Sequence, residues 1–100
     1  MGLNKYEKKK IEDSITNKLL EFKFSFAELN ISESKKGALL LKFDGASHPN
    51  YKNVRLMSHD SEIKETTLYT TVRISIRFLH GKYESPSIGI KIVTYKLTIS

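Results

Sequence analysis

Between Leu68 and Phe78 the chain alternates at strict two-residue spacing. Leu68, Thr70, Val72, Ile74, Ile76 and Phe78 fall on one side, and Tyr69, Thr71, Arg73, Ser75 and Arg77 on the other. Side chains of an extended strand point alternately to its two faces, so the pattern describes a strand with one buried face and one wet one. A helical stripe through Leu68, Val72, Ile76 and Leu79 competes on spacing alone. The density of β-branched residues decides for the strand, because Thr66, Thr67, Thr70, Thr71, Val72, Ile74 and Ile76 fit a pleated surface better than a helix. A half-buried strand constrains everything else. It needs antiparallel neighbours and a cover over its apolar side.

The neighbours are readable. Ile88, Ile90 and Ile92 begin a closing strand, after which the apolar positions switch to Val93, Tyr95, Leu97 and Ile99. That phase switch predicts a β-bulge at Ile92–Thr94, which brings Lys91 and Lys96 to the same solvent side. His80 to Pro86 reads as the connection between the two strands. Upstream, Ala38 to Phe43 is a short strand closed by the turn dipeptide Asp44-Gly45, and Ser32 to Gly37 is a polar turn before it. Residues 45–53 form the longest loop-like stretch. Val54–Met57 reads as a minor strand, followed by a polar connection through Ser58 to Glu62.

The cover comes from the N-terminus. Asn4 and Glu7 match a capping box, and Ile11, Ile15 and Leu19 recur every fourth residue on one face of a helix of about four turns. Phe22, Phe24 and Phe26 then alternate with Lys23 and Ser25, which predicts a strand with its phenylalanines in the core. Ala27, Leu29 and Ile31 continue in the opposite phase, which places a bulge or strand end near Phe26–Ala27. The expected fold is α+β: an N-terminal amphipathic helix packed on a four- to five-stranded antiparallel sheet, as one domain over residues 1–100.

Chemistry is sparse. The absence of cysteine removes disulfides and thiolate metal sites. His48 and His59, with Asp44 and Asp60 beside them, could in principle make a two-His carboxylate site, but their spacing matches no metal motif. Ser58-His59-Asp60 holds the letters of a catalytic triad, but a triad needs groups converging from separate elements. The glycines are isolated, so no phosphate-binding loop exists, and no pair of acids shares a strand face as an acid–base couple would. No cofactor or metal is expected. No apolar run approaches the ~20 residues of a membrane span, and no apolar stretch follows the basic N-terminus as in a signal peptide. Gly2 lacks the Ser or Thr at position 6 of a myristoylation signal, and the Asn30-Ile31-Ser32 sequon means nothing without export. The expected location is the cytoplasm.

Charge is the remaining signal. Net charge is +6, and between Thr66 and Ser100 the sole acid is Glu84, against Arg73, Arg77, Lys82, Lys91 and Lys96. Such a field suits polyanions or acidic protein surfaces, although solubility alone also explains it. With the register set near Tyr83, Ser75 lies opposite Lys91 and Thr71 opposite Lys96. Tyr69, Arg73, Arg77, Lys91 and Lys96 then share one solvent face as candidate binding residues, their cations and hydroxyls suited to phosphate oxygens. An ordinary solvated sheet face carries the same residue types. The leading expectation is non-enzymatic binding to nucleic acid or an acidic protein surface. The alternative is a small structural or assembly subunit, for example of a virus-like or other multi-protein particle, that forms a homo-oligomer through sheet edges. That alternative rests on Ile88 to Ile99, whose only charges are Lys91 and Lys96. An enzyme of unknown class comes third.

Overall fold

The computed structural model describes residues 3–95, apart from the side chains of His59 and Pro86. The helix α1 (Lys5–Glu21) is followed by five strands: β1 (Glu28–Glu33), β2 (Leu39–Asp44), β3 (Val54–Glu65), β4 (Tyr69–His80) and β5 (Tyr83–Tyr95). They form one antiparallel sheet in the order β1-β2-β3-β4-β5, so each strand pairs with its sequence neighbour and β1 and β5 are the edges. This is the expected α+β arrangement, with five strands. No helix among the described residues is long and apolar enough to cross a membrane.

The helix starts where its cap dictates. The Asn4 side chain accepts the Glu7 N–H at 2.7 Å, and the Glu7 carboxylate accepts the Asn4 N–H at 3.3 Å, satisfying two donors that the first turn leaves orphaned. Leu3 is tied to the sheet through its N–H, which donates to the Glu33 carboxylate at 3.2 Å. Ile11, Ile15 and Leu19 are completely buried and meet the inward row of the sheet: Leu39, Leu41, Leu56, Val72, Ile74, Ile76, Phe78, Ile90 and Ile92. The outer sheet face has no such cover.

The helix ends differently from expectation. Phe22–Phe26 is not a strand. Phe22 caps α1, and Lys23 takes a left-handed conformation with φ 68°. The Phe24 N–H returns to Leu19 O at 3.0 Å and the Lys23 N–H to Leu20 O at 2.9 Å, the two bonds of a Schellman stop. That reversal buries Phe24, leaves Phe22 exposed, and delays β1 until Glu28. Three alternating phenylalanines therefore have different fates, because local capping overrode the alternation.

β3 is the second correction. The polar run Ser58–Glu62 is strand, not connection, inside a twelve-residue β3. An extra residue of β3 between Ser58 and Asp60 shifts the register against β4, so Leu56 and Ile63 face inward although seven residues apart. Ser58 and Ser61 also face inward, where they replace missing ladder bonds to β2. Ser61 Oγ accepts the Leu39 N–H at 2.7 Å and donates to Leu39 O at 3.2 Å, and Ser58 Oγ accepts the Leu41 N–H at 3.3 Å. Only Lys42 and Met57 form a ladder pair between β2 and β3.

β5 is the third. It starts at Tyr83, directly after a tight turn through Gly81 and Lys82, so His80–Pro86 is not one long connection. The irregularity lies where β5 carries an extra residue opposite Arg77, between Ser85 and Ile88, and the ladder runs evenly from Ile88 to Tyr95. The expected bulge at Ile92–Thr94 is absent. Thr94 continues inward behind Ile92, buried, its hydroxyl donating to Thr70 O at 3.4 Å. Val93 and Tyr95 point outward and are exposed. The apparent phase switch is a change of chemistry on an unbroken strand.

Candidate functional site

The outer face of β4 and β5 is set by that ladder. Tyr69, Thr71, Arg73, Ser75 and Arg77 do share it, but their partners differ from those expected. Arg73 sits directly across from Lys91, Ser75 from Gly89, Thr71 from Val93 and Tyr69 from Tyr95. The expected pairing of Ser75 with Lys91 centred the turn near Tyr83; the turn lies at Gly81 and Lys82 instead, which moves β5 by three positions, and the extra residue of β5 takes back one. Lys96, the other expected partner, lies outside the described residues.

The four described site residues, Tyr69, Arg73, Arg77 and Lys91, therefore separate. Tyr69 and Tyr95 place their ring centroids 5.1 Å apart, both open to solvent. Arg73 and Lys91 are exposed and adjacent across the strand pair. On its other side Arg73 faces Glu62 of β3, but the ion partner of Glu62 is Lys64, at 3.2 Å. Arg77 is different: its Nε lies 2.8 Å from the Glu84 carboxylate, and its side chain is about one-third exposed. The single acid of the C-terminal third thus neutralises Arg77 and leaves Arg73 and Lys91 as the charged centre. Beside them lies an open hollow of about 500 Å³, lined by Ser75 and Gly89 as well and bounded on the β3 side by Asp60 and Glu62.

A second feature gathers where the helix stop, the 45–53 loop and the β4–β5 turn meet. His48 lies 4.7 Å from Phe24 and 4.8 Å from Tyr51, ring centre to ring centre; Tyr51 lies 5.2 Å from Phe78 and 4.6 Å from His80. His80 stacks on Phe78 at 5.2 Å and on Tyr83 at 5.5 Å. The tautomer of His48 follows from its partners. The Asn50 N–H donates to Nδ1 at 3.1 Å, so Nε2 carries the proton and donates to Phe22 O at 2.9 Å. That bond satisfies a helix-end carbonyl. Beside these rings opens a cleft of about 510 Å³, lined by Lys18, Phe22, Tyr51, Ser85, Ser87 and Ile88 above a floor that includes Phe24 and Phe78.

Sequence reasoning missed this assembly. Its members come from four segments separated by up to sixty residues, and none carries a motif. The one local signal was the Phe22–Phe24 pair, which read as core. Among the described residues no group of three or more His, Asp or Glu side chains is placed to hold a metal ion. Compared with protein-family models, with curated proteins and with solved structures, the chain matches none of them.

Proposed function

We propose that this protein is a non-enzymatic binder that takes a single-stranded nucleic acid along the outer face of β4 and β5. The observation that supports it is the apposition of Arg73 and Lys91. Like charges directly opposite on a sheet destabilise it, and Glu62, across from Arg73 on the other side, is paired with Lys64. A bridging phosphate relieves that repulsion, and the hollow over Gly89 beside the Ser75 hydroxyl leaves space for its oxygens. The exposed Tyr69 and Tyr95 rings on the same face supply stacking surface, which sequence-tolerant single-strand binders combine with cations. Asp60 and Glu62 confine the positive strip to β4 and β5.

The test is fluorescence anisotropy with a short labelled oligothymidylate at several salt concentrations. Wild-type binding should weaken as salt rises. Arg73→Ala with Lys91→Ala should flatten the log–log dependence by about 1.4, at ~0.7 per lost single-strand phosphate contact. Gly89→Thr should weaken binding at unchanged fold, because nothing lies within 4 Å of the position a Cβ would take. Salt-insensitive binding, or none, defeats the reading; binding to an acidic protein but not to oligonucleotide replaces it.

A second reading is favoured by the position of β5. It is a thirteen-residue edge strand, and between Ser85 and Tyr95 Lys91 is its only charge. Edges are normally shielded by charge, proline or a bulge. Pro86 and the extra residue beside it break the first part of β5, and Ile88 to Tyr95 keeps a regular ladder with Lys91 as its one charge. Self-association through β5 would make the chain an assembly subunit.

A further inference from the structure

We infer that the cleft between the helix stop and the β4–β5 turn is a small-molecule site for a flat aromatic ring carrying one anionic group. Its volume of about 510 Å³ falls within the ~300–1,000 Å³ common for ligand sites. Its chemistry is that of such sites: apolar and aromatic walls with a few polar groups at the rim. Phe24 and Phe78 form a buried floor, their centroids 4.7 Å apart and edge to face. Phe22 and Tyr51 line it while remaining 48% and 42% exposed. Two large rings held half in water beside a hollow leave apolar surface that a flat ring would cover, edge to face or offset-stacked.

The backbone supports the same reading. Only two non-glycine residues among those described have positive φ, Lys23 at 68° and Asn53 at 55°. One directly follows Phe22, and the other closes the loop that presents Tyr51. The helix stop accounts for the first and asparagine adopts this region readily, so both mark sharp, fixed changes of chain direction beside the cleft. The walls are also fixed in place. His48 uses both ring nitrogens to join the loop to the Phe22 carbonyl, and the Gly81 N–H donates to Asn53 O at 3.3 Å, tying the same loop to the β4–β5 turn.

Charge selects the anion. Among the described residues Lys18 is the one charged side chain lining the cleft; its Nζ lies 5.8 Å from the Phe22 ring centre and 3.4 Å from the Glu21 carboxylate. An anionic group on the ring would take the place of Glu21 on Lys18, while the Ser85 and Ser87 hydroxyls offer further hydrogen bonds. The site adjoins the outer face of β4 and β5 at Gly89, which borders both hollows, but neither Arg73 nor Lys91 lines it.

Titration of the ¹⁵N-labelled protein with naphthalene-2-sulfonate, and in parallel with uncharged 2-naphthalenemethanol, tests the site. Amide shifts should cluster around Lys18–Phe24, His48–Tyr51 and Ser85–Ile88, with the sulfonate binding more tightly. Lys18→Gln should weaken the sulfonate about two- to fivefold, the value of one exposed ion pair, and leave the neutral probe unchanged. Phe22→Ala should weaken both, at little cost to folding because the ring is half exposed. Shifts absent at about 10 mM probe, or located on the outer face of β4 and β5, overturn the inference. Equal affinity for the two probes overturns the assignment of the anion.

Discussion

Lys23 carries the most local conflict in the chain. It occupies the left-handed position of a Schellman stop, which glycine fills at no steric cost. Lys23→Gly should raise stability by about 0.5–1 kcal/mol in urea unfolding, less whatever glycine adds to the entropy of the unfolded chain. A loss of stability would mean that the lysine side chain contributes more than its backbone costs. At Leu19 the sign reverses. The side chain is fully buried beneath Phe24, and Leu19→Ala should cost about 2–4 kcal/mol through lost burial and a residual cavity. A thermal midpoint unchanged in that variant would mean that the helix does not dock on the sheet. On the outer face, removing one of two apposed cations should not destabilise the fold. Lys91→Ala should leave the midpoint unchanged or raise it slightly at low salt, with the difference vanishing as salt screens the pair.

Among the elements, the junction of β2 and β3 is held in an unusual way. With one ladder pair between them, the backbone of Leu39 relies on a serine on the neighbouring strand. Ser61→Ala removes both an acceptor and a donor, leaving two half-buried backbone groups unmet, and should cost about 1–3 kcal/mol. Amide exchange should show the effect first in β1 and β2, because β3, β4 and β5 are joined by continuous ladders. Uniform acceleration across the whole sheet would argue against this division. The same junction explains why half of β3 escaped the sequence reading. A strand whose inward side chains include serines, and whose phase shifts by one residue midway, presents neither alternation nor an apolar run.

At the scale of the whole molecule, the layers are unequal. The chain measures 51 × 23 × 18 Å, and a helix of 17 residues spans about 25 Å beside strands that approach 40 Å. One face of the sheet is therefore covered for much of its length and the other is open, with Leu40, Met57, Tyr69, Val93 and Tyr95 exposed. Such a face, next to the long β5 edge, is where partners are expected. If β5 pairs with a second copy, light scattering should show a mass that rises with concentration. Val93→Lys would place a second charge on the edge and should return the protein to monomer without unfolding it, because Val93 is 43% exposed. A wild type that stays monomeric at all concentrations leaves the edge as a solvent-facing boundary.

What the sequence determined by itself were the features set by near neighbours along the chain. The capping box, the stripe of Ile11, Ile15 and Leu19 and the inward row from Thr70 to Phe78 all obey periodicities and hydrogen bonds spanning a few residues. The tertiary structure decided everything that depends on which strand lies beside which. Thr94 faces inward because the even ladder with β4 holds it opposite Thr70, and Arg73 meets Lys91 because β5 carries an extra residue opposite Arg77. Arg77 was an open cation in the sequence and is paired in the fold, since Glu84 reaches it only once the β4–β5 turn has closed. The aromatic cleft was beyond reach for the same reason. Phe22, His48, Tyr51 and Phe78 share no spacing, and only the closing of three connections at one end of the sheet brings them together.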